Sequence, residues 1–372
     1  MELTQTLKIE RDVLFSMVEK IVATCRRRMG ASTELPHFFY VRIDGYGDKI
    51  KLSASDALRR IEILTEKVSV HKPFCIGVSA GLLHGVLKEL PAGVLEVEAV
   101  DGFRLSNATS AFRMDVLGPD KFPAIRNEPA HNWRKVDYAE LFTALNKVRY
   151  CTGSINNNRV FSRGIAVAYG YFMCTDGVRM SLLPNALLEP GGEILIPVES
   201  CTALTSVFKD EKVDGFVSFD ESSIYLSKGG VYLALRLMAA APPKFLQVIP
   251  NGPCTSCVIP KVAFKDALKR VEILAKDGER LLVVDLLISE SGLLASAHRG
   301  ICSAKEMVPI TYTGGSISIR ANLNFVLDAV RSLQEDEVVL EIRGEQLPIV
   351  LTDKRGEHRN VIMPVAERGG AP

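Results

Sequence analysis

The chain repeats itself at a spacing of roughly 125 residues, about the length of a domain and too long for a solenoid unit. Three stretches carry apolar residues at the i, i+3, i+4 spacing of an amphipathic helix: RDVLFSMVEKIVATCRRR (11–28), VDYAELFTALNKVRY (136–150) and KVAFKDALKRVEILAKDGER (261–280). A second set follows in the same phase: VSAGLLHGVLKEL (78–90), VESCTALTSVFKDEK (198–212) and RANLNFVLDAVRSL (320–333). After each comes a ladder of alternating residues, at 95–117, 215–238 and 338–353, with Asp-Gly or Gly-Gly turn signals in the first two. A period of two with such turns predicts antiparallel hairpins. Two ladders close on similar phrases, PDKFPAI (119–125) and PPKFLQVIP (242–250). The expectation is an α+β chain of three like domains, each two helices plus antiparallel strands. Polar, Pro-bearing stretches at 126–133 and 251–253 place the domains at 1–130, 131–252 and 253–372. Only the closing ERGGAP reads as disordered.

Charge narrows the function. The 372 residues carry a formal +1, so no global pull on nucleic acid or membrane exists. The six helical segments together hold +5, leaving −4 for everything else. Charges on helices usually form a solvated face. If all six line one surface, however, a modest positive lining without base-reading motifs suits contact with the backbone of duplex DNA. Arg26-Arg27-Arg28 is the densest local feature, although cations at a helix end also complement its dipole. No basic head with an apolar run opens the chain, and no window approaches the roughly 20 apolar residues of a membrane helix. Eight scattered cysteines fit reduced thiols, and the cytosol is the expected compartment.

Several stretches resemble chemistry. CTDGVRMSLLP (174–184) sets an acid, a glycine and an arginine close together, as a catalytic loop, a phosphate grip or a tight turn would. GVSAG (77–81) matches a G-x-S-x-G nucleophile elbow, which would make the chain a serine esterase acting through Ser79. That elbow needs a parallel sheet, and the flanking strands read as hairpins; the simpler role for Ser79 is to cap a helix. The same slot holds Glu199 and Arg320 in the other repeats, so no chemistry recurs there. CTSC (254–257) lacks a second ligand pair for zinc and lies in an apparent strand, so structural thiols are expected. No phosphate-binding glycine loop and no i, i+4 histidine pair is present, and no metal or cofactor is expected.

In order along nearly the whole chain, LSASDALRRIE (52–62), KFPAI (121–125), RVFSRGIAVAYGYFMCTDGVRM (159–180), KFLQVIP (244–250), NLNFVLDAV (322–330) and NVIMPV (360–365) resemble the bacterial β sliding clamp family, the processivity subunit of the replicative DNA polymerase. The resemblance implies a non-catalytic head-to-tail homodimer whose six domains close a ring, helices inside and sheets outside. It implies duplex DNA held without sequence specificity. Its partners would be the replicative polymerase catalytic subunit, a clamp loader and other proteins bearing clamp-binding motifs. Carried over by residue, a groove for partner peptides comprises Ser162, Thr175, Gly177, Val178, Arg179, Met180, Pro243, Gln247, Val248, Val361, Ile362, Met363, Pro364 and Val365. Read from the residues alone, Met180, Val248 and Met363 would fill core. The subunit seam would use Phe112, Ile273 and Leu274. DNA contacts would come from Arg26, Arg27, Arg28, Lys147, Arg149, Asn157, Arg159, Lys265 and Lys269. Departures are Ser162 where the family is usually apolar, Gln247 where it often has arginine, the extension AERGGAP, and a net charge less acidic than usual. Together they suggest a more polar groove and a divergent or accessory clamp.

Overall fold

The structure is a computed structural model and describes residues 6–24, 35–66, 68–99, 102–123, 132–153, 159–208, 214–275 and 282–366. Among the described residues six α-helices stand where the periodicity puts them: α1 (Arg11–Val22), α2 (Ala80–Glu89), α3 (Tyr138–Val148), α4 (Val198–Phe208), α5 (Lys261–Glu272) and α6 (Leu323–Ser332). Apart from α4, whose pattern runs on past the described residues, each is shorter than its sequence pattern. Residues 78–79 and 320–322 belong to the preceding strands, because a capping residue has extended backbone and closes the strand before it opens the helix. Asn322 shows this: its side chain accepts the Asn324 N–H at 3.0 Å. Residues 25–28, 209–212 and 276–280 lie outside the described residues.

The helices follow their apolar spacing. Helix α5 buries Phe264, Ala267, Leu268 and Val271, and α6 buries Leu323, Val326, Leu327, Ala329 and Val330. Lys261, at the start of α5, donates its Nζ to the Leu333 carbonyl at the end of α6, where a cation also favours the helix dipole.

Two compact units divide the chain: Met1–Phe142 with Glu199–Leu237, and Thr143–Val198 with Met238–Pro372. All their named strand pairs are antiparallel, as the hairpin signals predict.

The first unit holds a five-stranded and a nine-stranded sheet. In the larger one, Arg59–Thr65 from the first repeat pairs with Val231–Arg236 from the middle repeat, setting Leu233 opposite Ile61. Both side chains are fully buried. In the same unit Tyr138 packs on Phe142 and Phe208, with ring centroids at 5.6 and 4.8 Å. Gly215 makes room for it: a Cβ there would lie 2.3 Å from the Tyr138 ring.

The second unit holds an eight-stranded and a four-stranded sheet. Its larger sheet has the same kind of joint. Arg179–Pro184 from the middle repeat pairs with Arg359–Ile362 from the last, with Met180 opposite Val361 and Ser181 opposite Asn360. The middle third of the chain therefore contributes strands to both units.

Leu233 and Ile61 should be energetically coupled, because each supplies the other's packing across the joint. A double-alanine cycle followed by urea unfolding should show each single change costing roughly 2–4 kcal/mol, with a non-additive term of about 1 kcal/mol. Strict additivity would mean that the two strands are not packed as described.

Candidate functional site

The TDGVR corner (175–179) joins strands Tyr171–Thr175 and Arg179–Pro184 in the second unit. Its residue types dictate its shape. The Asp176 carboxylate accepts the Val178 and Arg179 N–H groups at 2.9 and 3.0 Å. Thr175 Oγ1 accepts the Gly177 N–H at 3.0 Å and donates to the Arg179 carbonyl at 2.7 Å. Gly177 sits at φ +92°, a region side chains disfavour.

Arg179 locks the corner from below. Its Nε meets Asp176 at 3.0 Å, Nη1 meets Asp328 of α6 at 2.8 Å, and Nη2 donates to the Tyr150 carbonyl at 3.0 Å. The guanidinium also lies over the Phe325 ring, 4.2 Å from its centroid. Burial alone would lower its pKa, but hydrogen bonding to Asp328 raises it. All this leaves Arg179 a structural cation and the corner a rigid turn, with no group free for catalysis.

The sides of the joint differ. On one face Met180, Leu182 and Val361 pack with Phe245, Val350 and Leu195. On the other, the Ser181 hydroxyl lies 2.9 Å from His358 Nε2 and donates to Asn360 Oδ1 at 2.8 Å, and the Tyr150 hydroxyl donates to the same oxygen at 2.6 Å. Burial pushes the His358 imidazole down to about 4.

Around the corner the apolar residues split. Met180, Val361 and Ile362 are buried, as the core reading requires of Met180. Val178 (48% exposed), Val248 (53%) and Met363 (40%) instead remain open. Met363 is held beside the corner by its N–H bond to the Val178 carbonyl, 3.0 Å. Leu246, 41% exposed on the short 3-10 helix Phe245–Val248, joins the open apolar set, although sequence reading missed it. Its neighbour Phe245 turns inward, which is the only local signal that Leu246 faces out. Pro243, Pro364 and Val365 are half-buried, and Gln247 is exposed. Val365 donates to the Arg320 carbonyl at 2.8 Å, fixing the tail that follows Ile362.

Ser162 adds no polarity to this surface. It is fully buried, and its hydroxyl donates to the Arg159 carbonyl at 2.7 Å. Arg159, expected among the DNA contacts, lies at the corner with Nη1 3.4 Å from the Gly177 carbonyl. Lys147 and Arg149 fall at the end of α3 and in the 3-10 turn after it, both half-buried. Lys265 and Lys269 lie one turn apart on α5. Arg26, Arg27, Arg28 and Asn157 lie outside the described residues, as does the ERGGAP end. Phe112 and Ile273 are exposed, and Leu274 packs against the core of the second unit.

The other motifs resolve simply. Ser79 caps α2, accepting the Leu82 N–H at 3.5 Å, and its strand pairs antiparallel with Tyr40–Tyr46. Cys254 and Cys257 are free thiols, the second buried in strand Thr255–Pro260. Among the described residues no cluster could hold a metal, and no helix is long and apolar enough to cross a membrane.

Because the folded state disfavours the His358 proton, its contribution to stability is full above the unfolded value near 6.5 and is lost as pH falls from there toward 4. Urea unfolding at pH 7.5 and pH 5 should differ by about 2 kcal/mol on this account. His358→Gln should flatten that part of the slope; an unchanged slope would remove His358 as its source.

Residues 246–366 match the family model described as the DNA polymerase III beta subunit, C-terminal domain. Over 374 aligned residues the chain is 21% identical to the beta sliding clamps of Staphylococcus aureus and Staphylococcus epidermidis, covering 96% of this chain and 98% of each relative. Its fold superposes on the DNA polymerase sliding clamp of Bacillus subtilis with a TM-score of 0.90 at 20% identity, covering 98% of this chain and all of that one. Against the DNA polymerase III subunit beta of Pseudomonas aeruginosa the TM-score is 0.88 at 18% identity, covering 97% and 99%. With a family model over its last third, relatives matched over nearly their whole length and the fold in common, the chain is similar throughout to bacterial β sliding clamps, and residues 246–366 match the C-terminal domain of the DNA polymerase III beta subunit.

Proposed function

We propose that the chain is a DNA sliding clamp: a non-catalytic cytoplasmic protein that encircles duplex DNA and tethers the replicative polymerase and other partners to it. The observation that carries the proposal is the open apolar set Val178, Leu246, Val248 and Met363 on a rigid corner, in a chain matched end to end by sliding clamps. Exposed apolar side chains on a fixed frame favour docking, because little ordering entropy is lost when a peptide covers them. Partner peptides would insert an aliphatic or aromatic anchor between these side chains. Met363 supplies an adaptable wall, and Gln247 a polar rim.

The domain partition we propose is the threefold one, 1–130, 131–252 and 253–372, each with two helices. A head-to-tail dimer then supplies six domains. Two sheet edges favour that assembly. Strand Ala111–Met114, which carries Phe112, is an outer strand of the five-stranded sheet; Cys302–Val308 is an outer strand of the four-stranded sheet. Open edges of this kind ask for a partner strand, and a second copy would bury Phe112 and Ile273 with them. The side chains of Arg26, Arg27, Arg28, Lys147, Arg149, Asn157, Arg159, Lys265 and Lys269 would meet phosphates. A closed ring cannot fall off, so such contacts stay weak and mobile. No cofactor is needed, because a separate loader would supply the ATP that opens the ring. The exposed Gln247 marks a groove more polar than the family's, which favours a divergent or accessory clamp. Normal binding of a standard clamp-binding peptide in a competition assay would count against that last point.

The decisive test is topological. Loaded by its clamp loader onto nicked circular duplex, the protein should survive a wash in salt that strips backbone contacts and leave when the circle is cut. Loss during the wash, with an active loader, would overturn the ring. Changing Ile273 and Leu274 together to alanine should give monomers by light scattering; an unchanged dimer mass would refute that seam. Val178→Asp should weaken binding of a clamp-motif peptide at least about tenfold, the cost of burying a charge in an apolar site, without shifting the melting temperature.

A further inference from the structure

We propose that the joint between the first and middle repeats, in the first compact unit, forms a second docking site, one that takes an acidic peptide segment of a partner protein. The basis is an internal likeness. The corner Asp56-Ala57-Leu58-Arg59 is built as Asp176-Gly177-Val178-Arg179 is. Asp56 accepts the Leu58 and Arg59 N–H groups at 2.9 and 2.7 Å, and its second oxygen takes Arg59 Nε at 3.0 Å. Asp176 does the same for Val178, Arg179 and Arg179 Nε at 2.9, 3.0 and 3.0 Å. Each corner opens a strand that pairs with the last strand of the following repeat, Val231–Arg236 in one case and Arg359–Ile362 in the other. Each stands in the same unit as the linker that closes its own repeat, where KFP (121–123) corresponds to KFL (244–246).

In the first unit this arrangement leaves a cleft of about 630 Å³. That is ample for a few residues of an extended peptide. Leu58, Phe122 and Pro123 give it an apolar part, and Gly77 gives Phe122 its room, since a Cβ there would lie 2.5 Å from the ring. The rest is cationic. Arg42, Arg59, Arg60 and Arg236 line the cleft against one carboxylate, Asp56. Arg42 is paired with Asp44 through Nε and Nη2, and Arg59 with Asp56 through the same atoms, so Nη1 of each lies outside those pairs. Arg60 is paired with Glu62. Arg236 is exposed and makes no side-chain ion pair among the described residues, while its backbone N–H ties the joint to the Leu58 carbonyl at 2.8 Å.

One exposed guanidinium outside any ion pair among the described residues, Arg236, with the Nη1 groups of Arg42 and Arg59 outside theirs, over an apolar floor matches carboxylates flanking an aliphatic anchor. A DNA backbone would satisfy the arginines but leave Leu58, Phe122 and Pro123 uncovered, so a peptide fits better. The site goes beyond the clamp reading, because it stands on the repeat and the charge and requires neither a ring nor DNA.

The probe is a fluorescein-labelled peptide of Asp and Glu around one central leucine, titrated by anisotropy against the full chain at low salt. The same peptide with Lys in place of its acids is the control. The acidic peptide should bind and the basic one should not. Arg236→Ala should weaken binding about tenfold, the usual effect of losing one charged hydrogen bond, and Arg236→Lys should restore most of it. Val178→Asp should leave it unchanged, which separates this cleft from the groove of the second unit. Failure of the unaltered protein to bind, or no effect of Arg236→Ala, would overturn the proposal. So would a loss on Val178→Asp instead, which places the peptide in the other groove. Displacement by a duplex oligonucleotide whose own affinity falls equally with Arg236→Ala would make the cleft a phosphate contact and overturn it too.

Discussion

A repeat made of two helices and a few strands cannot close its own sheets, because an outer strand keeps a row of unpaired N–H and C=O groups. This chain meets the problem by handing the last strand of one repeat to the corner strand of the repeat before it. The register of that pairing organises what lies around it in the second unit. With Met180 opposite Val361 and Ser181 opposite Asn360, alternate side chains go to opposite faces. Met180, Leu182 and Val361 enter an apolar cluster. Ser181, Asn360 and His358 form a buried polar network with Tyr150. A slip of one residue would drive the polar set into the apolar cluster and the reverse, so the register is strongly specified.

Specified register is what makes the surface at the corner useful. Strand Arg359–Ile362 delivers Met363 to the Val178 carbonyl, and the Asp176, Thr175 and Arg179 contacts leave the turn few alternatives. Arg179 reaches from the corner to Asp328 on α6, so the turn is braced by a helix of the last repeat as well as by its strand. Side chains that would otherwise be driven inward stay exposed because the backbone carrying them has nowhere else to go. Their exposure is therefore a consequence of the joint.

Much of this was legible in the residues. Helices α1–α6 follow from i, i+3, i+4 spacing, and the hairpins from a period of two. Ser79 as a cap and CTSC as a strand with free thiols follow from the company they keep. The T-D-G-x-R pattern announces a tight turn through side chains that hydrogen-bond within three residues. What was not legible is long-range. Nothing local to Met180 says that its partner is Val361, since antiparallel register between segments this far apart is set by burial on both faces. Ser162 reads as a polar groove residue until its hydroxyl is seen bonded within its own turn. Arg159 is expected among the DNA contacts until it is seen at Gly177. Long, flexible side chains near a joint go where the fold leaves room, and sequence carries little record of that.

The two joints also show how one solution can be put to different uses. In the second unit the polar face of the joint is buried, and its groups satisfy one another except for Asn360 Nδ2, which has no partner there. A buried polar network costs stability relative to an apolar one and is most readily understood as a device that excludes wrong registers. In the first unit the faces are exchanged: Ala234–Arg60 stands where Met180–Val361 stands in the second, and Leu233–Ile61 where Ser181–Asn360 does, with Tyr232–Glu62 on the same face as Arg60. Arg60 remains only part-buried there and lines the open cleft, so register must rest more on the apolar side, where Ile61, Ile63, Leu233 and Leu235 are buried. The charged side chains of the first joint line the cleft instead of a buried network. The same repeat thus yields one joint whose polar groups hold the fold together and another whose polar groups face outward.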